Sequence, residues 1–329
     1  MKKIEIIAEI ANAHQGDADI AIEIANKAID ANCDIIKFQI YTADDLLTPS
    51  HSRYSHFKKQ SFSKKQWEYI FKNINSNNIK IYADIFGNES LEIAKNLNID
   101  GFKIHFSDLL NIPLLKKISS IGKTILIGSG GGTLEEISFA IETIKKNRTK
   151  KFKIILLHGF QAYPTFIEDT NLDRLKKFKE LFKNIETGIS DHVSGDSIFS
   201  SILPMMAIPY GISCVEKHVT VNRSKKGVDY YSSMDCNDFH DFVSNFRIAE
   251  KSIGKSNIYS KEEINYRKTV KKKWVFNKKM KKGDLVTEND IIMKRHESDD
   301  KNLDFQMILN KKLLFDVAEN SIVSLNQFM

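Results

Sequence analysis

The sequence predicts a (β/α)8 barrel followed by a small second domain. Eight short apolar runs of β-type composition alternate with helix-patterned segments between Ile4 and Val221. Nearly every run ends in a polar residue able to take part in chemistry. Eight such units within roughly 250 residues match the usual size of one (β/α)8 barrel. Because the carboxyl ends of all the strands of this fold meet on one face, we expect an active site there.

The first four runs are IEIIAEIA, DIIKFQIY, IKIYADIF and GFKIHF. Each ends with charged or amide side chains, which are Glu9 in the first run, Lys37 and Gln39 in the second, Asp84 in the third, and Lys103 with Asp108 just beyond in the fourth. Each of the two lysines interrupts an otherwise apolar run. Since a buried and unpaired ammonium is costly, we expect an anion to lie beside each of them.

The last four runs are TILIGS, FKIILLHGF, IETGISDH and CVEKHVTV. Their polar residues are Ser129 with Gly130 to Gly132 in the fifth, His158 followed by Gln161 and Tyr163 in the sixth, Ser190, Asp191 and His192 in the seventh, and Glu216, Lys217 and His218 in the eighth. Between the runs, apolar residues recur at three- and four-residue spacing, as in AIEIANKAIDA, which predicts helices.

After the eighth run, NDFHDFVSNFRIAEKSIG predicts a last amphipathic helix of the barrel domain, to which we assign residues 1–256. A polar linker is expected over 257–270. Residues 271–329 change to short strands and turns, with a hairpin signal at Lys282-Gly283-Asp284 and a helical turn expected over Thr287 to Asp290. A domain of about 55 to 60 residues has a small core and is expected to dock on another surface.

Composition limits the functional classes. The chain of 329 residues is 42% hydrophobic, but no apolar stretch is long enough to span a bilayer, and MKKIEIIAEI lacks a signal-peptide pattern. We therefore expect a cytoplasmic protein with no membrane partner. Cys33, Cys214 and Cys236 have no C-x-x-C spacing and are predicted to be buried reduced thiols.

The net charge of +7 does not predict a nucleic-acid partner, because the lysines are spread along the chain. The densest clusters, Lys271 to Lys273 and Lys278 to Lys282, lack the interleaved aromatic residues of a single-strand binder. An excess of positive charge could instead help to attract an anionic substrate.

Several motifs taken together resemble the sialic acid synthase family, which makes nine-carbon keto acids including N-acetylneuraminate, legionaminate and pseudaminate. The motifs occur in the family's order and are AEIANAHQG, IIKFQ, FKI, LLH, AYPT, GISDH, VEKHVT and KKGDLVTENDIIMKR. The resemblance covers essentially the whole chain, and it implies that the second domain is an antifreeze-like (SAF) domain.

The resemblance implies a transferase that joins phosphoenolpyruvate to the open-chain aldehyde of an N-acetylated amino sugar and releases phosphate. The product would be a nonulosonic acid for capsule, lipopolysaccharide or glycan decoration. His192 and His218 match the two histidines that hold a divalent metal in the family. Imidazole ligands suit Mn2+, the expected ion, and Co2+ or Zn2+, and Mg2+ also stays open.

The resemblance also implies roles for the other polar residues. Those matching the catalytic groups are Glu9, Lys37, Lys103 and Asp108. Those matching the donor site are Lys37, Lys103, Ser129, Gln161 and Ser190. Those matching the sugar site are Gln39, Tyr163, Asp229 and Arg295. In the family, the SAF domain of one subunit delivers the matching arginine to the active site of its partner, which implies a domain-swapped homodimer.

The chain departs from the family pattern in the donor pocket. Ala83-Asp84-Ile85-Phe86 stands where the family has Ser-Thr-Pro-Phe, and the other changed positions are Phe106, Gly128 and Gln161. In the Asn-His turn after the first run, Ala13 replaces an asparagine, although Asn12 precedes it. Asp84 facing a phosphate would cost on the order of several kcal/mol unless it is protonated or paired with a lysine. The backbone amides of Gly130 to Gly132 are a possible compensating anion site.

Two alternatives therefore remain open. In one, the barrel is an aldolase or lyase with a different donor, in which Lys37 or Lys103 forms a Schiff base and Asp84 acts as acid or base. In the other, the chain is a catalytically weakened paralogue that binds sugar or a partner subunit. The acceptor sugar and the metal are also left open by the sequence.

Overall fold

The computed structural model describes residues 3–75, 79–159, 162–254, 258–297 and 303–328. The chain divides into two compact units, Met1–Ile253 and Gly254–Met329. Each unit has its own hydrophobic core.

The first unit is a closed parallel barrel, which confirms the predicted fold. Its strands are β1 (Glu5–Glu9), β2 (Ile35–Ile40), β3 (Lys80–Ile85), β4 (Gly101–Ile104), β5 (Thr124–Gly128), β6 (Ile154–His158), β7 (Glu186–Asp191) and β8 (Cys214–Thr220). Each strand pairs with the next in the chain, and β1 also pairs with β8 in register, with Glu9 opposite His218. A short strand, β9 (Met234–Asp235), extends the sheet beside β8.

Helices alternate with these strands. They are α1 (Ala18–Asp30), α2 (Ala43–Leu46), α3 (Tyr54–Gln60), α4 (Lys64–Asn73), α5 (Asn88–Lys95), α6 (Ile112–Ile121), α7 (Leu134–Asn147), α8 (Arg174–Leu181), α9 (Phe199–Met206) and α10 (Cys236–Ser252). Local sequence explains how several begin. The Asp17 carboxylate accepts hydrogen bonds from the first amides of α1, and Thr133 with Glu136 forms a capping box at the start of α7.

Apolar residues fill two layers of the barrel. The larger core lies between the strands and the helices, where α1 buries Ala21, Ile24, Ala25 and Ala28 at helical spacing. A smaller core includes residues of six strands, which are Ile7, Ile35, Tyr82, Leu126, Ile155, Leu157 and Cys214. Side chains two residues apart on a strand share a face, so Glu9 lies one step above Ile7 and Lys37 one step above Ile35. The polar groups therefore lie next to a layer of apolar side chains, on its side toward the carboxyl ends of the strands.

The second unit has a helix, α11 (Lys261–Val270), and an antiparallel hairpin of β10 (Lys272–Phe276) and β11 (Ile291–Arg295). The helix lies within the segment predicted as a linker and begins with a capping box formed by Ser260 and Glu263. The core contains Phe276, Met280, Val286, Ile291, Ile308, Leu313, Val317 and Val323. The expected turn after Thr287 is a short 3-10 helix, Glu288–Asp290, which is confirmed.

The three cysteines are free and buried, as predicted. In the part of the chain that the structure describes, no helix has the length and apolar character needed to cross a membrane.

Candidate active site

Five charged side chains meet inside the carboxyl end of the barrel, and we call them the inner cluster. They are Glu9, Lys37, Asp84, Lys103 and Glu216, and each is at most 6% exposed. Lys37 Nζ lies 2.8 Å from Asp84 Oδ2 and 3.4 Å from Glu216 Oε2, and it also pairs with Glu9. Lys103 Nζ lies 2.7 Å from Glu216 Oε1 and 3.7 Å from Asp84 Oδ2. The anions expected beside the two lysines are thus carboxylates of the chain itself.

The inner cluster contains three carboxyl groups and two amines, so its formal charge is −1 when all five are ionised. Burial lowers the pKa of Lys37. Burial also opposes the charged form of Lys103, but the Asp84 and Glu216 carboxylates outweigh it and raise the pKa of this lysine. For Glu216, burial favours the neutral form, yet Lys103 and Lys37 hold the pKa of this carboxyl below its usual range. Lys103 and Glu216 therefore form an ionised pair.

Neighbouring groups fix the orientation of these carboxylates. The backbone amide of Ala11 donates to Glu9 Oε1 at 2.8 Å, and Ser190 Oγ donates to Glu216 Oε1 at 2.6 Å. Ser190 was predicted to bind the phosphoenolpyruvate donor, but here its hydroxyl donates a hydrogen bond to Glu216 of the inner cluster. Ser129 is buried, and its hydroxyl donates to the carbonyl of Leu157 at 2.8 Å.

His192 and His218 lie side by side next to the inner cluster. Both are buried, and their ring centroids are 5.1 Å apart. The carbonyl of His192 accepts hydrogen bonds from Ser232 Oγ and from the amide of Thr165, each at 2.8 Å, which holds this residue in place.

Burial and the neighbouring His192 keep the pKa of His218 well below its usual range, so its imidazole is neutral. Within the described ranges, His218 Nδ1 is buried without a hydrogen-bond partner. A neutral imidazole with a free nitrogen is the form that binds a metal ion, so the pair fits a divalent cation. No group of three or more histidine, cysteine, aspartate or glutamate side chains suited to a metal occurs among the residues described.

Two other buried histidines have structural partners. His14 Nδ1 accepts from the amide of Gly16 at 3.0 Å, its ring packs on Phe62, and burial lowers its pKa to about 4. His158 Nε2 lies 2.7 Å from the carbonyl of Thr170.

A cleft of about 860 Å³ opens above the histidines. Gln39, Tyr163 and Asp229, the predicted sugar contacts of the barrel, all line this cleft together with His218. The Tyr163 ring lies 4.8 Å from the ring of His192 and 6.2 Å from that of His218, centroid to centroid. Three residues far apart in sequence are thus brought together beside the histidine pair.

A hydrogen-bonded chain along the cleft wall was not predicted from the sequence. Tyr41 Oη donates to Asn12 Oδ1 at 2.6 Å, and the amide of Asn12 donates to Asp229 Oδ2 at 3.2 Å. Burial raises the pKa of Asp229. Strand alternation could have identified Tyr41, which lies two residues after Gln39.

The three remaining predicted residues are Asp108, Arg295 and Gln161. Asp108 is half-buried in a short 3-10 helix, Phe106–Asp108, where it accepts hydrogen bonds from Asn111 at 2.8 Å and Ser107 at 3.2 Å, and burial raises its pKa. Arg295 is exposed at the end of β11 in the second unit, opposite Lys272. Gln161 lies outside the described residues.

The changed positions of the predicted donor pocket have distinct environments. Gly131 has a φ of 85°, and a β-carbon there would lie 2.9 Å from the Phe106 ring. The amide of Gly132 donates to the carbonyl of Ser129 at 3.1 Å, so this N–H of the predicted anion site is already in use. At Gly128, by contrast, a β-carbon would lie 3.6 Å or more from its neighbours, so packing does not require glycine.

Comparison with known proteins gives a consistent family. A profile described as the NeuB family matches residues 24–258. An uncharacterised protein of Methanocaldococcus jannaschii is 30% identical over 319 residues, which cover 97% of this chain and 92% of the relative. The N,N'-diacetyllegionaminic acid synthase of Campylobacter jejuni is 27% identical over 338 residues, which cover 98% of this chain and 99% of that enzyme.

Among solved structures, the N-acetylneuraminic acid synthetase of Leptospira borgpetersenii, in complex with citrate, is similar with a TM-score of 0.72 and 28% identity. The match covers 81% of this chain and 92% of that one. The family profile spans well over half of the sequence, and named synthases match along nearly its whole length. The chain belongs to the NeuB family and is an enzyme of the sialic acid synthase type.

Proposed function

We propose that this enzyme condenses phosphoenolpyruvate with the open-chain aldehyde of an N-acetylated amino sugar and releases phosphate. The observation that carries the proposal is that the inner cluster and His192 both lie beside His218, which lines one cleft together with Gln39, Tyr163 and Asp229. The product is a nonulosonic acid of the class that the named relatives make.

In the proposed reaction, C3 of phosphoenolpyruvate attacks the aldehyde carbon, and a new C–C bond forms. The aldehyde oxygen takes up a proton and becomes a hydroxyl. Water adds to C2 of the donor and loses a proton. The resulting tetrahedral carbon then expels phosphate, which takes up the proton of the new hydroxyl, and a ketone is left. These reaction steps require that the anionic groups of the substrate are bound, that the aldehyde carbonyl is polarised and that the attacking water is oriented.

Lys37 and Lys103 hold the donor in this proposal, because they are the cations of the inner cluster. The donor's carboxylate and phosphate can each accept charge-assisted hydrogen bonds from an ammonium group. Ser129, Ser190 and Gln161 are the further proposed donor contacts. Of these, Ser190 acts on the donor indirectly, because its hydroxyl donates to Glu216, the partner of Lys103.

Glu9 orients the attacking water, since Ala11 fixes one of its carboxylate oxygens and Lys37 pairs with the other. Asp108 is proposed as a second acidic group. Burial raises its pKa, which keeps more of this carboxyl protonated near neutral pH than an ordinary aspartate and suits it to proton exchange.

His192 and His218 would hold the divalent cation, for which Mn2+ is the expected ion and Mg2+, Co2+ and Zn2+ are alternatives. When bound, such a cation supplies Lewis-acid polarisation of the sugar's carbonyl. Gln39, Tyr163 and Asp229 bind the acyl group, the chain and the hydroxyls of the sugar. The second unit is proposed to be a SAF-type domain that supplies Arg295 to a partner subunit in a homodimer.

The test is phosphate release from the purified protein with phosphoenolpyruvate, Mn2+ and a panel of N-acetylated hexosamines and their 6-deoxy diamino relatives. We expect release that depends on the acceptor and falls by about 100-fold or more in His192→Ala, because the carbonyl then loses its Lewis acid. The control is metal content after dialysis, which should also fall in the variant. Absence of release with every acceptor, while the protein still binds the metal, would contradict the proposal and favour a weakened sugar-binding protein.

One observation supports a second candidate, a lyase that works through a Schiff base. Burial lowers the pKa of Lys37, and a nucleophilic lysine requires this shift. Borohydride treatment in the presence of pyruvate would then attach the keto acid to Lys37, and the adduct would be located by peptide mass spectrometry. A synthase of the proposed kind gives no such adduct.

A further inference from the structure

We propose that Asp84 is a specificity-determining residue that competes with the anionic donor for Lys37 and Lys103 and thereby weakens donor binding. This inference rests on the proposed function, because it takes the two lysines as the donor's cations.

The geometry places one carboxylate oxygen between both cations. Asp84 Oδ2 lies 2.8 Å from Lys37 Nζ and 3.7 Å from Lys103 Nζ, and the side chain is 1% exposed. A phosphate or carboxylate group of a ligand needs these same ammonium hydrogens. An anion that enters the pocket must therefore share the lysines with Asp84 or displace it.

The other oxygen of Asp84 is poorly satisfied. Within the described part of the chain, Asp84 Oδ1 is buried and accepts no hydrogen bond. A buried acceptor without a donor is unfavourable, so Asp84 is held by the two lysines and little else. The Asp84 carboxylate is thus a buried anion that depends on the two lysines, and its hydrogen bonding is incomplete.

Hydrogen bonding separates Asp84 from the other two carboxylates, because Glu9 also accepts from the amide of Ala11 and Glu216 from the hydroxyl of Ser190. The ionisable groups that face Asp84 are Glu9 from β1, Lys37 from β2, Lys103 from β4, Glu216 from β8 and Tyr163 from the loop after β6. Without Asp84, two lysines face Glu9 and Glu216 and the charges balance. With Asp84, the cluster carries one excess negative charge, which repels an anionic donor strongly because the pocket is buried.

The glycine turn after β5 offers little compensation for this repulsion. The Phe106 ring packs against Gly131, and the amide of Gly132 is bonded within the turn. The lysines remain the principal groups able to hold a donor anion among the described residues of the cluster.

The experiment compares the wild-type enzyme with Asp84→Asn, Asp84→Ser and Asp84→Glu. We expect the donor KM to fall by about tenfold or more in the first two variants, because they remove a like charge in contact with the donor site. The acceptor KM should change by less than about twofold. Asp84→Glu keeps the charge and should keep the weak donor binding of the wild type, which a purely structural role of this position would not produce.

A matched control is Asp34→Asn. Asp34 pairs with Arg247 and accepts from the amide of Ile6, and it immediately precedes the strand that carries Lys37. This substitution removes an ion-paired carboxylate away from the donor site, so the donor KM should stay unchanged.

Calorimetric titration with inorganic phosphate separates this inference from the proposed function. Phosphate should bind Asp84→Asn and Asp84→Ser about tenfold more tightly than it binds the wild type, whether or not the enzyme turns over phosphoenolpyruvate. Unchanged or weaker phosphate binding in both variants would overturn the inference and assign Asp84 to the positioning of Lys37. Loss of acceptor-dependent phosphate release in every protein would overturn the proposed function alone.

Discussion

The two faces of β7 and β8 carry buried charges of different character. On the inner face, Glu216 reaches across the barrel to lysines of β2 and β4. On the outer face, Lys217 pairs with Asp191 of the neighbouring strand, and both residues are at most 3% exposed. The outer pair has one cation for one anion. The inner cluster has two cations for three anions and lies beside His218, which lines an open cleft.

This difference separates charges that support the fold from charges that bind a ligand. A buried pair with one partner each is satisfied by itself, and breaking it is costly because the remaining charge is left alone. Asp84 Oδ1 has no hydrogen-bond partner among the residues that the structure describes, so the unbalanced cluster is incomplete without further groups.

The largest expected effect is on activity, and it comes from removing a lysine of the inner face. Removing a lysine of the outer face is the comparison. Lys37→Met leaves three carboxylates with one lysine, so we expect phosphate release to fall by on the order of 100-fold to 1,000-fold. The free energy of unfolding should fall by about 3 to 5 kcal/mol, since a buried pair is broken. Steady-state kinetics and urea unfolding measure the two effects.

Lys217→Met is the matched control on the outer face. We expect a similar loss of stability, while kcat/KM of the folded protein stays within about tenfold of the wild type. Equal losses of activity in both variants would contradict the distinction between the two faces, because the outer pair would then act in the chemistry as well.

The second effect concerns His14, which lies near the same end of the barrel but is packed on Phe62. Its pKa is lowered from 6.5 to about 4 because burial excludes the charged form. The unfolded chain takes up a proton below about pH 6.5, so the stabilising contribution is complete above that pH and is lost as the pH falls towards 4.

We expect the free energy of unfolding to fall by about 2 kcal/mol from this group alone between pH 7.5 and pH 5. Urea unfolding at both values, with His14→Gln beside the wild type, isolates the contribution as the difference in pH dependence. The same pH dependence in both proteins would show that His14 is protonated in the folded state.

The last comparison concerns two glycines of the barrel, one of which is expected to tolerate a side chain with almost no effect. At Gly188, a β-carbon would lie 2.5 Å from Cys214 Sγ and 2.9 Å from the Cys214 carbonyl, so Gly188→Ala should destabilise the fold by about 1 to 3 kcal/mol. At Gly128, the nearest atoms lie 3.6 to 3.7 Å away and include Lys103 Cε. Gly128→Ser should therefore leave stability within about 0.5 kcal/mol and place a hydroxyl beside the donor lysine.

Thermal unfolding with donor KM measurements checks both variants. A destabilised Gly128→Ser would mean that the space beside Lys103 is smaller than the geometry indicates. A stable Gly188→Ala would mean that the barrel interior at Cys214 can adjust.

The barrel was predictable because strand and helix periodicities are local properties of the chain. The positions of His192, His218 and Gln39 at strand ends followed from the same pattern, as did the charged residues of the inner cluster. The role predicted for Asp108 beside Glu9 stays a prediction, whereas its hydrogen bonds from Asn111 and Ser107 in its own loop were not predicted. Hydrogen bonds within a loop depend on how the chain turns after the strand, which periodicity does not specify.

The sequence by itself determined the alternation of elements, the face on which polar groups gather and the family to which the motifs belong. Only the tertiary structure decided the partners of the buried charges. Asp84 pairs with Lys37 and Lys103, and Glu216 reaches two lysines on other strands, because closing the barrel brings these side chains within hydrogen-bonding distance. The hydrogen bonds from Tyr41 to Asn12 and from Asn12 to Asp229 form for the same reason. Residue spacing along the chain specifies which face a side chain occupies, but the charge that it meets depends on strands that are distant in sequence.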